Sequence, residues 1–145
     1  MDLIEQAKEY IQNENLSCFA YLKIGQYKSN YSGIRPLLQP LNADHTFFED
    51  AILIDKVIGK SAAFLLIYGK VKKVHAMIMS EHAKNLLDKT KIEYSYDKLV
   101  PYISNNLNTG MCPMENTVIE IDDVDEAFQA LNKKVDELMK KETCN

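Results

Sequence analysis

The sequence predicts a single α/β domain in which helices cover a mixed β-sheet. Two patterns and one number point there. A strand–turn–strand pattern lies near the N-terminus, and segments of helical and strand periodicity alternate after it. The chain has 145 residues, 46% hydrophobic and 26% charged, which suits one domain with one core of ordinary size. The reading is therefore one domain over residues 1–145, without internal repeats.

Behind an Asp2 cap, Leu3, Ile4, Ala7, Tyr10 and Ile11 share one face of a helix over residues 2–13. Ser17 to Ile24 is a short apolar run rich in strand formers, and Gly25-Gln26 turns it into a second strand, Tyr27 to Tyr31. Ser32-Gly33 reads as a loop, and Arg35 to Leu41, with two prolines, as a short helical or irregular piece. Asp55 to Tyr68 reads as a helix apolar on most sides, buried against a sheet and stopped by Gly69. Val71 to Met79 alternates like a strand, Ser80-Glu81 opens a helix, and Ile92 to Tyr96 is another strand. Asp97 to Ile103 is read as helical, residues 104–110 as a loop, and Pro113 to about Ile121 as a helix. The last helix, 124–141, carries the stripe Val124, Phe128, Leu131, Val135 and Leu138 between an acidic start and a basic end, as the helix dipole favours.

Composition excludes several classes of function. Seventeen basic and 21 acidic residues leave a net charge of −4, which argues against a general nucleic-acid-binding surface. The single arginine, Arg35, allows bidentate recognition of an anion at one place at most; it either clamps an anionic ligand or pairs with a carboxylate of the chain. No apolar run is long enough for a membrane span, and the first residues lack a signal-peptide pattern. Three widely spaced cysteines, Cys18, Cys112 and Cys144, suggest no disulfide framework, so a cytoplasmic location is expected.

Chemistry concentrates in two segments. In Thr109-Gly110-Met111-Cys112-Pro113-Met114-Glu115, proline at the first helical position places Cys112 at the N-cap, with Glu115 three residues on as in a capping box. A thiol there faces free amides and the positive end of the helix, which favours thiolate. Either Cys112 is a nucleophilic, redox-active or ligand-binding thiolate, or it is a small buried cysteine where a helix starts. In the second segment Asp55 would cap the apolar helix and Lys56 would sit in its first turn, an unfavourable place for a cation unless an anion is near. Gly59-Lys60-Ser61 ends like a phosphate loop, but position 54 is Ile, not the glycine that pattern needs. A zinc set of His82, Cys112 and Asp55 is conceivable, yet no complete metal or cofactor motif is present, and neither metal nor cofactor is expected.

These segments, Asp55 to Ala63, Leu65 to Gly69 and Thr109 to Glu115, together with Gly33-Ile34-Arg35-Pro36-Leu37, resemble the DUF1893 family over about residues 16–135. That family comprises small bacterial and archaeal proteins of unknown function. The resemblance implies a cytidine-deaminase-like fold, a three-layer α-β-α arrangement with a mixed sheet of about five strands. By element order the deaminase zinc motifs would fall near Asp55-Lys56-Val57 and near Ser80-Glu81-His82-Ala83, and neither segment carries the required ligands. Two readings follow. One is a small-ligand-binding or regulatory module whose pocket draws on Asp55, Lys56, Lys60 and Cys112, with Arg35, Ser80, Glu81, Thr109, Gly110 and Glu115 around it. The other is an enzyme using Cys112 as nucleophile or redox thiol, assisted by Asp55 or Lys56. The expected ligand is small and anionic or nucleotide-like, with no membrane partner; family-level analogy adds a homodimer.

Overall fold

Asp2 caps the first helix, α1 (Leu3–Asn13), its Oδ1 accepting from the Glu5 amide at 2.9 Å. The computed structural model describes residues 2–104 and 110–143. Strands β1 (Cys18–Tyr21) and β2 (Gln26–Ser29) form the expected hairpin, with β2 ending short of Tyr31. The chain reverses at Gly25, whose φ of +87° is a left-handed conformation open to glycine.

The proline-containing segment is helical, α2 (Arg35–Ala43). Pro40 lies inside it and has no N–H to give the Pro36 carbonyl, so that oxygen loses its helical partner. The Tyr27 hydroxyl donates to it instead, at 2.8 Å, and ties α2 to the hairpin. Tyr27→Phe is therefore expected to cost about 1–3 kcal/mol, the penalty for an unserved buried acceptor. Urea unfolding would read this as a lower midpoint; an unmoved midpoint would mean that water serves the carbonyl.

The largest departure from the sequence reading is β3 (Ile52–Ile58). Asp55 and Lys56 belong to this strand and not to a helical cap and first turn. β3 is the middle strand of the sheet, with much of both faces covered, so its residues read as a near-continuous apolar run without two-residue alternation. The helix begins only after Gly59: α3 (Lys60–Tyr68) buries Ser61 through Leu66, as a helix apolar on most sides must.

Next come β4 (Lys73–Ser80), α4 (Glu81–Leu87) and β5 (Glu93–Val100). β5 runs through Asp97 and Lys98, where the sequence reads as helical. It is an edge strand, and an edge tolerates charges that an interior strand would not. The helix expected from Pro113 to Ile121 shrinks to α5 (Pro113–Thr117). The last helix, α6 (Val124–Thr143), stacks Phe128 on Tyr68 of α3 with ring centroids 4.0 Å apart.

The sheet order is β2-β1-β3-β4-β5, antiparallel across the first three strands and parallel across the last three. Neighbouring residues on a strand face opposite ways, so Phe19 and Ile54 pack with Ala7 and Ile11 of α1, while Ala20 and Leu53 join the larger core beneath α2, α3 and α6. On the α1 face His75 bonds Ser95 at 2.7 Å and Asp97 at 3.1 Å, and Lys8 of α1 pairs with Asp97 at 2.9 Å, pinning the helix to the sheet. Among the described residues no helix is long and apolar enough to cross a membrane.

Candidate functional site

The end of β3, the start of α3, α5 and the segment before α2 enclose a cavity of about 300 Å³. Its walls are largely apolar: Ile34, Val57, Ala62, Ile103 and Met114. Asp55 supplies a carboxyl from β3, and Cys112 supplies a sulfur from the residue before α5. Lys56 stands at the rim, exposed to solvent. The Asp55-Lys56 pair and Cys112 thus line one space although they come from separate segments.

Asp55 is only 5% exposed. Its Oδ1 accepts from the Val57 amide at 3.2 Å, and its strand partner across β1 is Cys18, itself fully buried. Burial pushes the Asp55 carboxyl up from 3.8 to about 7, opposed by the Val57 and Lys56 amides and by the Lys56 charge. Burial, with Asp55 adding to it, also holds the Cys18 thiol well above its ordinary value.

Glu115 is 1% exposed and does what the sequence reading assigned to no residue. Its Oε2 accepts from the Lys60 amide, the first of α3, at 2.6 Å and from the Ser80 hydroxyl at 2.6 Å. Its Oε1 accepts from the Ile103 amide at 2.7 Å. Ser80 in turn caps α4, accepting from the Ala83 amide at 3.1 Å. One side chain therefore joins three segments, and it places a carboxylate at the beginning of α3, where the helix dipole favours negative charge.

This arrangement removes the expected capping box. Glu115 turns away from Cys112, whose amide donates to the Ile103 carbonyl at 2.7 Å and whose sulfur makes no capping bond. The reciprocal geometry fails because Glu115 satisfies three donors elsewhere, more than the one amide a box would offer.

The other expected site residues scatter. The Lys60 ammonium donates to the Ile119 carbonyl at 2.7 Å beside the Phe64 ring, in a separate recess with His82 and Asp122. Burial lowers the Lys60 pKa from its ordinary value. Arg35 opens α2 next to Ile34 without lining the cavity, and Glu81 points to solvent at the first turn of α4. Gly110 is half-buried outside the cavity wall, and Thr109 lies outside the described residues. Among the described residues no cluster of three metal-ligating side chains forms, so His82, Cys112 and Asp55 do not assemble as a zinc set.

A family model for a domain of unknown function, DUF1893, matches residues 6–135 of the chain. The chain belongs to the DUF1893 family. The crystal structure of a DUF1893 family protein (TM1506) from Thermotoga maritima superposes on it with a TM-score of 0.83. That structure shares 30% identity, over 91% of this chain and 89% of the other. No curated protein matches.

In this DUF1893 chain two of the segments that carry the resemblance meet physically: Glu115 of residues 109–115 bonds Lys60 of residues 55–63. Gly59 makes the meeting feasible. A β-carbon there would lie 2.6 Å from Glu115 Oε2 and 2.9 Å from the Ile103 side chain. Its φ of −97° is ordinary, so the requirement is for space and not for conformation. Gly59→Ala is expected to cost about 1–3 kcal/mol by displacing the carboxylate, and a melting curve would show it. An unchanged melting temperature would mean that Glu115 moves aside freely. Sequence reasoning missed Cys18 as the neighbour of Asp55 and Ile103 as a partner of Glu115. Strand register creates the first contact and a bond between residues 12 apart the second, and local spacing carries no signal for either.

Proposed function

We propose that this DUF1893 protein is a small-molecule-binding module whose ligand occupies the cavity over the end of β3. The observation that carries this reading is the nearly buried Asp55 carboxyl in the wall of an otherwise mostly apolar space of about 300 Å³. Pockets of this size with few, well-placed polar groups are the usual form of small-ligand sites. A buried carboxyl costs stability that a purely structural role does not return. The scaffold reading is a deaminase-like domain used for recognition.

The test is a saturation-transfer NMR screen with fragments that include a nucleoside and inorganic phosphate, the latter two representing the anionic or nucleotide-like class. Hits should be lost in Ala62→Leu, which fills the cavity from a wall position. A screen without a hit sensitive to Ala62→Leu removes the proposal. Thiol chemistry at Cys112 is the second reading, favoured by Cys112 lining the same cavity as Asp55. Selective alkylation of Cys112 in the folded protein at neutral pH supports it, and an inert thiol removes it.

A further inference from the structure

We propose that the cavity selects a cationic, donor-rich ligand of amidine or guanidine type, its paired N–H groups on the Asp55 carboxyl and its planar body against the apolar wall. This rests on the small-molecule reading above and narrows its ligand class.

Three observations lead there. The beginning of α3 would ordinarily draw an anion, but Glu115 already occupies it, with Oε2 2.6 Å from the Lys60 amide. Both Glu115 oxygens are engaged, by three donors. Asp55 is therefore the carboxyl more open to a ligand, with the Val57 amide 3.2 Å from Oδ1 and the Lys56 amide beside it. The lining contains two buried carboxyls, and the one basic side chain among the described lining residues, Lys56, is exposed at the rim. An anion entering the cavity meets like charge in a poorly solvated space, whereas an amidinium supplies the counter-charge and a pair of donors to Asp55.

The groups facing Asp55 leave this balance intact. Cys18 on β1 and Tyr27 on β2 both have raised pKa values, chiefly through burial, and stay neutral at pH 7. The β4 neighbour in register is Ala76. Lys56 on its own strand is solvated, α5 contributes Glu115, and the residue before α5 is Cys112. A cationic ligand draws Asp55 into its ionised form. With its carboxyl at about 7 in the free protein, binding tightens as pH rises through that value.

The experiment titrates the full chain with benzamidine, benzamide and benzoate, three molecules of one shape carrying positive, no and negative charge. Backbone amide spectra are recorded at pH 5.5 and 8. Benzamidine is expected to shift the Lys56 and Val57 amides and to bind at least tenfold tighter at pH 8. Asp55→Asn should abolish that pH dependence, and benzoate should leave the cavity amides unmoved. Benzoate binding as tightly as benzamidine, or benzamidine binding untouched by Asp55→Asn, overturns the charge class while leaving the cavity reading in place. If none of the three binds while fragments from the wider screen do, the ligand class is wrong. If no fragment binds either, the small-molecule reading falls with it.

Discussion

Glu115→Ala is expected to destabilise the protein by about 3–5 kcal/mol, the largest effect of any single side-chain truncation around the cavity. The change strips acceptors from the Lys60 amide, the Ser80 hydroxyl and the Ile103 amide together, and leaves a hole where a fully packed side chain stood. It also takes the negative charge away from the beginning of α3. Glu115→Gln should cost less, about 1–3 kcal/mol: one oxygen can still serve Lys60 and Ser80, but its amide nitrogen would then face the Ile103 N–H, donor against donor. Chemical unfolding of the two variants beside the wild type checks both the size and the order. Equal effects would mean that packing, not hydrogen bonding, holds the three segments.

Asp55→Asn is expected to gain about 2–3 kcal/mol relative to the wild type between pH 5 and pH 8. The sign follows from the direction of the shift. The folded carboxyl holds its proton up to about 7, while the unfolded one releases it near 3.8. The folded state therefore binds more protons in that window, and the wild type loses stability as pH rises through it. Asparagine does not titrate and has no such loss. His75, held low by burial, acts oppositely, taking stability away as pH falls below about 6.5. It is present in both proteins and cancels in the difference. Paired unfolding curves at the two pH values measure the effect. A constant difference would show that water reaches Asp55 and restores its ordinary titration.

Local chemistry made much of the fold legible. The caps of α1 and α4 at Asp2 and Ser80 are side-chain oxygens bonding amides three residues on, and such short contacts leave a clear sequence pattern. The hairpin turn at Gly25 and the stripe of α6 are equally local. β3 was not legible as a strand, because an interior strand and a buried helix share one apolar composition. Only the position of β3 between β1 and β4 decides between them. β5 was half legible, since Asp97 and Lys98 break the apolar pattern of an edge strand.

At the site, the sequence by itself determined which residue types stand in the Asp55-Lys56 and Cys112 segments, and the structure places both segments along one cavity. Tertiary structure alone decided what Glu115 does. Its partners lie 55, 35 and 12 residues away, and no spacing rule reaches across a chain reversal. It also decided that Asp55 is buried and Lys56 exposed, because β3 leaves the covered middle of the sheet between them: Leu53 to Asp55 are buried, whereas Lys56 and Val57 are exposed.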